Sequence, residues 1–117
     1  EIEGFATLVY HLFPNVSVSV LSKHTSVTVI EPLSPSRTQM FSYYIKHAAK
    51  NGSEISDEEA LRDVDFVNQS GQEEDRAAAR DIQETVTTSA NSHLTFGYYE
   101  KAIVTFHQQL QSELGET

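Results

Sequence analysis

The sequence predicts an α+β fold: an antiparallel β-sheet packed against later helices, the last of them long. Two observations carry this. Apolar and polar residues alternate at the strand period through residues 4–47, most strictly in VSVSV (Val16 to Val20). From about residue 57 to 114 the apolar residues recur instead at helical spacing. Strands that come first and helices that come later belong to an α+β domain.

The elements follow in order. GFATLVYHLF (Gly4 to Phe13) forms the first strand and Val16–Val20 the second. SVTVI (Ser26 to Ile30) forms the third, joined to the second by the short polar Ser22–Thr25 as an antiparallel hairpin. RTQMFSYYIKH (Arg37 to His47) is the fourth. Between the last two, EPLSPSR carries Pro32 and Pro35, which lack amide donors and predict a loop or a sheet edge. Asn15 is expected to shape the turn after Pro14. Asn51-Gly52 then marks a loop, and Ser56 followed by Glu59 has the capping-box spacing that opens a helix. Gly71 is expected to interrupt that first, short helix, and a second runs to about Thr88. In the C-terminal stretch from Tyr98 to Leu114, Tyr99, Ile103, Phe106 and Leu110 fall within about 60° on a helical wheel, an amphipathic helix expected to cover the sheet.

Composition narrows the function classes. The 117 residues make one domain or part of one, and a strand-like run beginning beside Glu1 predicts an incomplete domain. A net charge of −9 argues against nucleic acid and anionic membranes, which need a basic footprint. There is no Cys, so neither a disulfide nor a Cys-ligated cluster forms within these residues. With no apolar run long enough to span a bilayer and no leader-like segment, a cytoplasmic location is expected. No Gly-x-Ser-x-Gly and no phosphate loop is present.

The residue that demands explanation lies in EEDRAAARDIQETV. With a helix beginning near Glu73, Ala79, Ile82 and Val86 all project within about 40° of Asp75. Glu73, Arg80 and Glu84 fall on the opposite, solvated side. Asp75 therefore heads an apolar stripe. From the pattern alone it is either an N-cap that accepts backbone N–H bonds, the commoner role, or an inward-facing ligand. Tyr43 and Tyr44, adjacent in a strand, must point to opposite faces, so at most one of them lines a pocket. His107, at the edge of the last helix's stripe, reads as a packing residue.

HLFPNVSVSVLSKHTSVTVIEPLSPSRTQMFSYYI resembles the catalytic-domain sheet of the large (alpha) subunit of Rieske non-haem iron ring-hydroxylating oxygenases. EEDRAAARDIQ resembles that family's segment that contributes an Asp to the mononuclear iron, with Gln83 eight residues after Asp75. LTFGYYEKAIVTFHQQL is similar to the family's C-terminal helix. The likeness spans nearly the whole chain. It implies a helix-grip (START-like) arrangement with residues 1–117 as the C-terminal portion of the catalytic domain. It also implies insertion of dioxygen-derived oxygen into an aromatic or small organic substrate, an electron-donating reductase or ferredoxin, and a homo-oligomer, often a trimer. Asp75 becomes the implied iron ligand, with Glu74 its alternative should the register slip by one. His11, with Phe13 beside it, resembles positions near the substrate pocket; a solvent-facing or core-satisfied histidine is the plainer role.

The departures bear on activity. A facial triad holds Fe(II) with two His and one carboxylate. The family's closely spaced His pair has no counterpart here: His11, His24, His47, His93 and His107 lie too far apart in sequence to form a helical or hairpin pair. A Rieske [2Fe–2S] centre needs two Cys and two His and is expected upstream in the parent protein. One iron ligand of three is implied here, and the chain alone is expected to be inactive. The competing expectation is a non-catalytic helix-grip module that binds an apolar small molecule.

Overall fold

A computed structural model describes residues 6–48, 54–90 and 93–115. Four antiparallel strands form one sheet in sequence order: β1 (Leu8–Leu12), β2 (Val16–Val20), β3 (His24–Ser34) and β4 (Arg37–Lys46). The helical half comprises α1 (Asp57–Ser70), a π-helical turn (Gly71–Asp75), α2 (Arg76–Thr87) and α3 (Lys101–Leu114). The α+β class and the four consecutive strands stand as the sequence predicts. Gly4, Phe5 and the expected Asn51-Gly52 loop lie outside the described residues. The chain divides into two compact units, residues 1–83 and residues 84–117.

Register assigns every strand residue to a face. Ser19 opposes Ser26, Thr28 opposes Ser42 and Ser26 opposes Tyr44, so these share one side with His11, which opposes Ser17. The other side carries Tyr10, Val18, Val27 and Tyr43 in one row across all four strands, with Leu12, Val16, Val29 and Phe41 in the next. The strict Val/Ser alternation of β2 thus extends over the sheet as one apolar and one hydroxyl-rich face. Tyr43 and Tyr44 point to opposite faces, as their adjacency requires.

Of the two places expected for Pro32, a loop or a sheet edge, it takes the edge, within β3. The ladder to β2 reaches only Val29, extended by Asn15, whose carbonyl accepts from the Ile30 N–H at 2.8 Å and whose side-chain amide donates to the Ile30 carbonyl at 3.1 Å. Beyond Ile30, β3 pairs with β4 alone, so Pro32 is at a local edge where a missing donor costs no ladder bond. The register is irregular between Pro32 and Ser34, and only then does the chain turn. Gly71 interrupts the first helix as expected, capping α1 after Ser70, but the chain does not leave the helical path there. Its backbone is right-handed helical (φ −63°, ψ −29°) and its N–H bonds back to Asn68 and Val67. The helical path continues as a π-turn in which the Arg76 N–H reaches the Gly71 carbonyl.

The capping box opens α1 as predicted: Ser56 Oγ accepts from the Glu59 N–H at 3.2 Å, and the Glu59 carboxylate accepts from the Ser56 N–H at 3.2 Å. The Ser56 N–H and, next, the Ser56 hydroxyl, both donating to the Glu59 carboxylate, hold that carboxyl below its usual range. The helix then docks on the hydroxyl-rich face of the sheet. Ala60 and Val64, one turn apart, are its buried apolar residues. Beside them His24, only 1% exposed, donates from Nδ1 to Asp63 Oδ2 at 2.9 Å. Its ring meets Tyr44 edge-on, with centroids 5.7 Å apart. Tyr44 in turn donates to Asn68 Oδ1 at 2.9 Å. Lys46 with Asp57 and Lys23 with Glu59 complete the seam at the surface; the bond to Lys46 lowers the Asp57 pKa.

In the second unit, α2 ends where Ser89 takes a positive φ of 54°. There α3 begins at Lys101, later than the expected Tyr98, because Gly97 and Glu100 form a turn: the Glu100 N–H bonds to the Gly97 carbonyl at 3.0 Å. Tyr99 consequently precedes the helix rather than joining its stripe. His107 stacks on Phe96 at 5.7 Å, the packing role its position suggested. Gly115, at φ 71°, closes α3 in a left-handed cap.

Two substitutions test this docking by urea unfolding. Asp63→Ala leaves the buried His24 ring unpaired and should cost about 1–3 kcal/mol. Ser56→Ala, which removes the cap alone, should cost about 0.5–2 kcal/mol. An Asp63→Ala effect smaller than that of Ser56→Ala would show that the buried pair is not what holds the helix.

Candidate functional site

Docking α1 through its first three turns leaves a gap where the helix passes into the π-turn. The gap is a cavity of about 400 Å³ within the first unit, a size suited to a small molecule. Its floor is the sheet: Ser19, Ser26, Thr28, Ser42 and Tyr44. The opposing wall is helical: Phe66, Asn68, Gly71, Asp75 and Arg76. Leu21, Met40 and Val67 supply apolar surface at its borders.

Asp75 lies in the helical wall of this cavity. The N-terminal cap role is overturned, because the helical path runs unbroken from Asp57 to Thr87 and Asp75 sits deep inside it. No backbone N–H near it lacks an intrahelical partner for the reason a first-turn N–H does. Asp75 forms no hydrogen bond or ion pair among the described residues. A carboxylate so placed is open to a ligand. The π-turn contributes to its aim: one i→i−5 bond advances the chain by an extra residue and rotates what precedes it relative to α2. Single π-turns within helices are frequent at functional sites.

His11 shares the cavity's face of the sheet but does not line the cavity, and Phe13 lies in the turn after β1. Asp75 is therefore the predicted site residue that the structure brings to the cavity. His24 and Asp63 escaped the sequence reading as a pair; they lie thirty-nine residues apart, and no local pattern links them. Among the described residues no group of three or more His, Cys, Asp or Glu is arranged to hold a metal ion. Nor is any helix among them long and apolar enough to cross a membrane.

A family model described as the ring hydroxylating alpha subunit (catalytic domain) matches residues 2–116. Comparison with curated proteins and with solved structures found no match.

Because Asp75 is neither a cap nor a hydrogen-bonding partner, Asp75→Ala should change the unfolding free energy by less than about 0.5 kcal/mol. A loss of 1 kcal/mol or more, of the order of a removed cap, would contradict that placement.

Proposed function

Because this chain belongs to the ring-hydroxylating alpha-subunit catalytic-domain family, the catalytic part of Rieske-type oxygenases, we propose that it forms the cavity-bearing, C-terminal portion of such a catalytic domain. The family uses non-haem iron, acts on aromatic substrates and draws electrons from a partner protein. In the parent protein Asp75 is the carboxylate of the iron site. One observation carries this assignment: a carboxylate without a hydrogen-bonding partner faces a small-molecule cavity from a π-turn.

The donor set fits the metal in part. An anionic oxygen on a rigid helix is the hard third ligand of a two-His, one-carboxylate triad. The two His ligands come from elsewhere in the parent, since His24 is already committed to Asp63 and no histidine lines the cavity among the described residues. The [2Fe–2S] centre likewise needs cysteines that this chain lacks. Bound iron supplies dioxygen activation. The residues here supply one ligand and a floor against which a substrate is oriented.

The remaining parts of the proposal rest on the family likeness. The parent's catalytic domain is of the helix-grip type, His11 and Phe13 lie toward the substrate entrance, and the parent is a cytoplasmic homo-oligomer. The rival reading, a non-catalytic module for an apolar ligand, is not favoured: it would leave the Ser19 and Ser26 hydroxyls of the cavity floor without a partner, and the family match points to the oxygenase.

The test is iron content by elemental analysis after anaerobic ferrous loading, on this chain and on an upstream-extended form. The extended form should take up about one mononuclear iron beyond any cluster and lose it on Asp75→Ala, while this chain retains none. Undiminished iron in Asp75→Ala would remove the ligand assignment, and an extended form without mononuclear iron would remove the oxygenase reading.

A further inference from the structure

The cavity has a floor and a wall that one helix keeps together. Its floor belongs to the strands, and its wall to the end of α1, the π-turn and the start of α2. Among the described residues of the first unit, α1 is the helical segment that packs on the strands, and it does so at β3 and β4 alone. The wall is therefore carried by α1. The cavity has its shape only while that helix is docked.

That docking is mostly polar. Ala60 and Val64, the buried apolar residues of α1, are both small, whereas its larger apolar side chains Leu61 and Phe66 are 62% and 73% exposed. Little apolar area leaves the water when the helix docks. The other contacts form a polar line between helix and sheet: Lys46 with Asp57, Lys23 with Glu59, His24 with Asp63 and Tyr44 with Asn68. The two ion pairs are at the surface, where water and salt screen them. The sheet is held differently. Its ladders run through all four strands, and its valine-bearing face lies away from α1. Three or more strands with a hydrophobic face meet the requirement for independent stability. Elements with few buried apolar contacts, by contrast, open at a lower free energy than core strands.

We propose that α1 and the π-turn form a docking flap, which leaves the sheet as one unit while the four strands stay paired and takes the wall of the cavity with it. The two segments move together because the helical path is continuous through Gly71, whose N–H bonds back into α1 and whose carbonyl accepts from Arg76. A ligand that touches both floor and wall binds only the docked state and draws the flap shut, by as much as it prefers that state. Its apparent affinity falls with the docked fraction. The flap depends on the polar seam and not on what the cavity holds, so it is independent of the iron assignment.

Native-state hydrogen exchange of the full 117-residue chain, followed by NMR at rising sub-denaturing urea, tests this. The amides from Leu61 to Asp75 should share one opening free energy, with protection about tenfold or more below that of the central strands β2 and β3. Their urea dependence should also be weaker, because the flap exposes less surface than global unfolding does. Tyr44→Phe keeps the ring against His24 and removes the bond to Asn68. It should speed exchange about three- to tenfold along the whole flap, the end near Leu61 included. A dispersed spectrum establishes that the variant remains folded. One opening free energy and one urea dependence shared by the flap and the central strands would overturn the proposal. So would a Tyr44→Phe effect confined to the amides beside Asn68.

Discussion

The contact on which the rest depends is the hydrogen bond between His24 and Asp63. It joins the first residue of β3 to the second turn of α1, and it is the place where the helix is held to the sheet by a buried polar group. Burying an imidazole is costly unless a ring nitrogen is paired, and Asp63 supplies that pair. Its other ring nitrogen, Nε2, has no hydrogen-bonding partner among the described residues. With Ala60 and Val64 as the helix's buried apolar residues, little hydrophobic area accompanies the bond. The orientation of α1 is thus decided by polar pairing more than by packing. Tyr44, held between the His24 ring and the Asn68 amide, passes that orientation one turn farther, toward the cavity.

A helix docked this way meets the hydroxyl-rich face of the sheet, and this has a chemical consequence. A cavity between an apolar sheet face and a helix would be a dry slot for hydrocarbons. Here Ser19, Ser26, Thr28 and Ser42 make the floor polar. The valine-bearing face lies on the far side, where Tyr43 remains 60% exposed. Sheet polarity and ligand chemistry are in this sense one property, fixed by which face α1 occupies.

The π-turn links the docking seam to the cavity wall. Upstream of it, Asp63 and Asn68 grip the sheet; within it, Asp75 turns to the cavity; immediately after it comes Arg76. An acid and a base thus adjoin on one rigid helical path with different tasks open to them. A regular α-helix through the same residues would carry Asp75 on by a further part of a turn relative to the docked segment. Gly71 at the start of the turn is not demanded by crowding, since an added Cβ would meet Asp75 Oδ2 at an ordinary 3.9 Å.

Local chemistry made much of this legible in the sequence. The alternation of Val and Ser determined the second strand to the residue, because side chains in a strand alternate faces whatever they pack against. Ser56 and Glu59 determined the start of α1, because a capping box is satisfied within four residues. Periodicity placed Asp75 on an apolar stripe with Ala79, Ile82 and Val86, but all four are exposed and α2 buries no residue, so it was the family likeness alone that assigned Asp75 a metal. What only the tertiary structure decided concerns partners distant along the chain. Pro32 is tolerated in β3 because β2 has already ended beside it, Gly71 continues a helix because its backbone bonds are kept, and Asp75 is no cap because the helix began far upstream. The choice of sheet face for α1, and with it the polarity of the cavity, rests on a His and an Asp that meet only when the chain folds. A pairing across that separation leaves no periodic trace in the residues between.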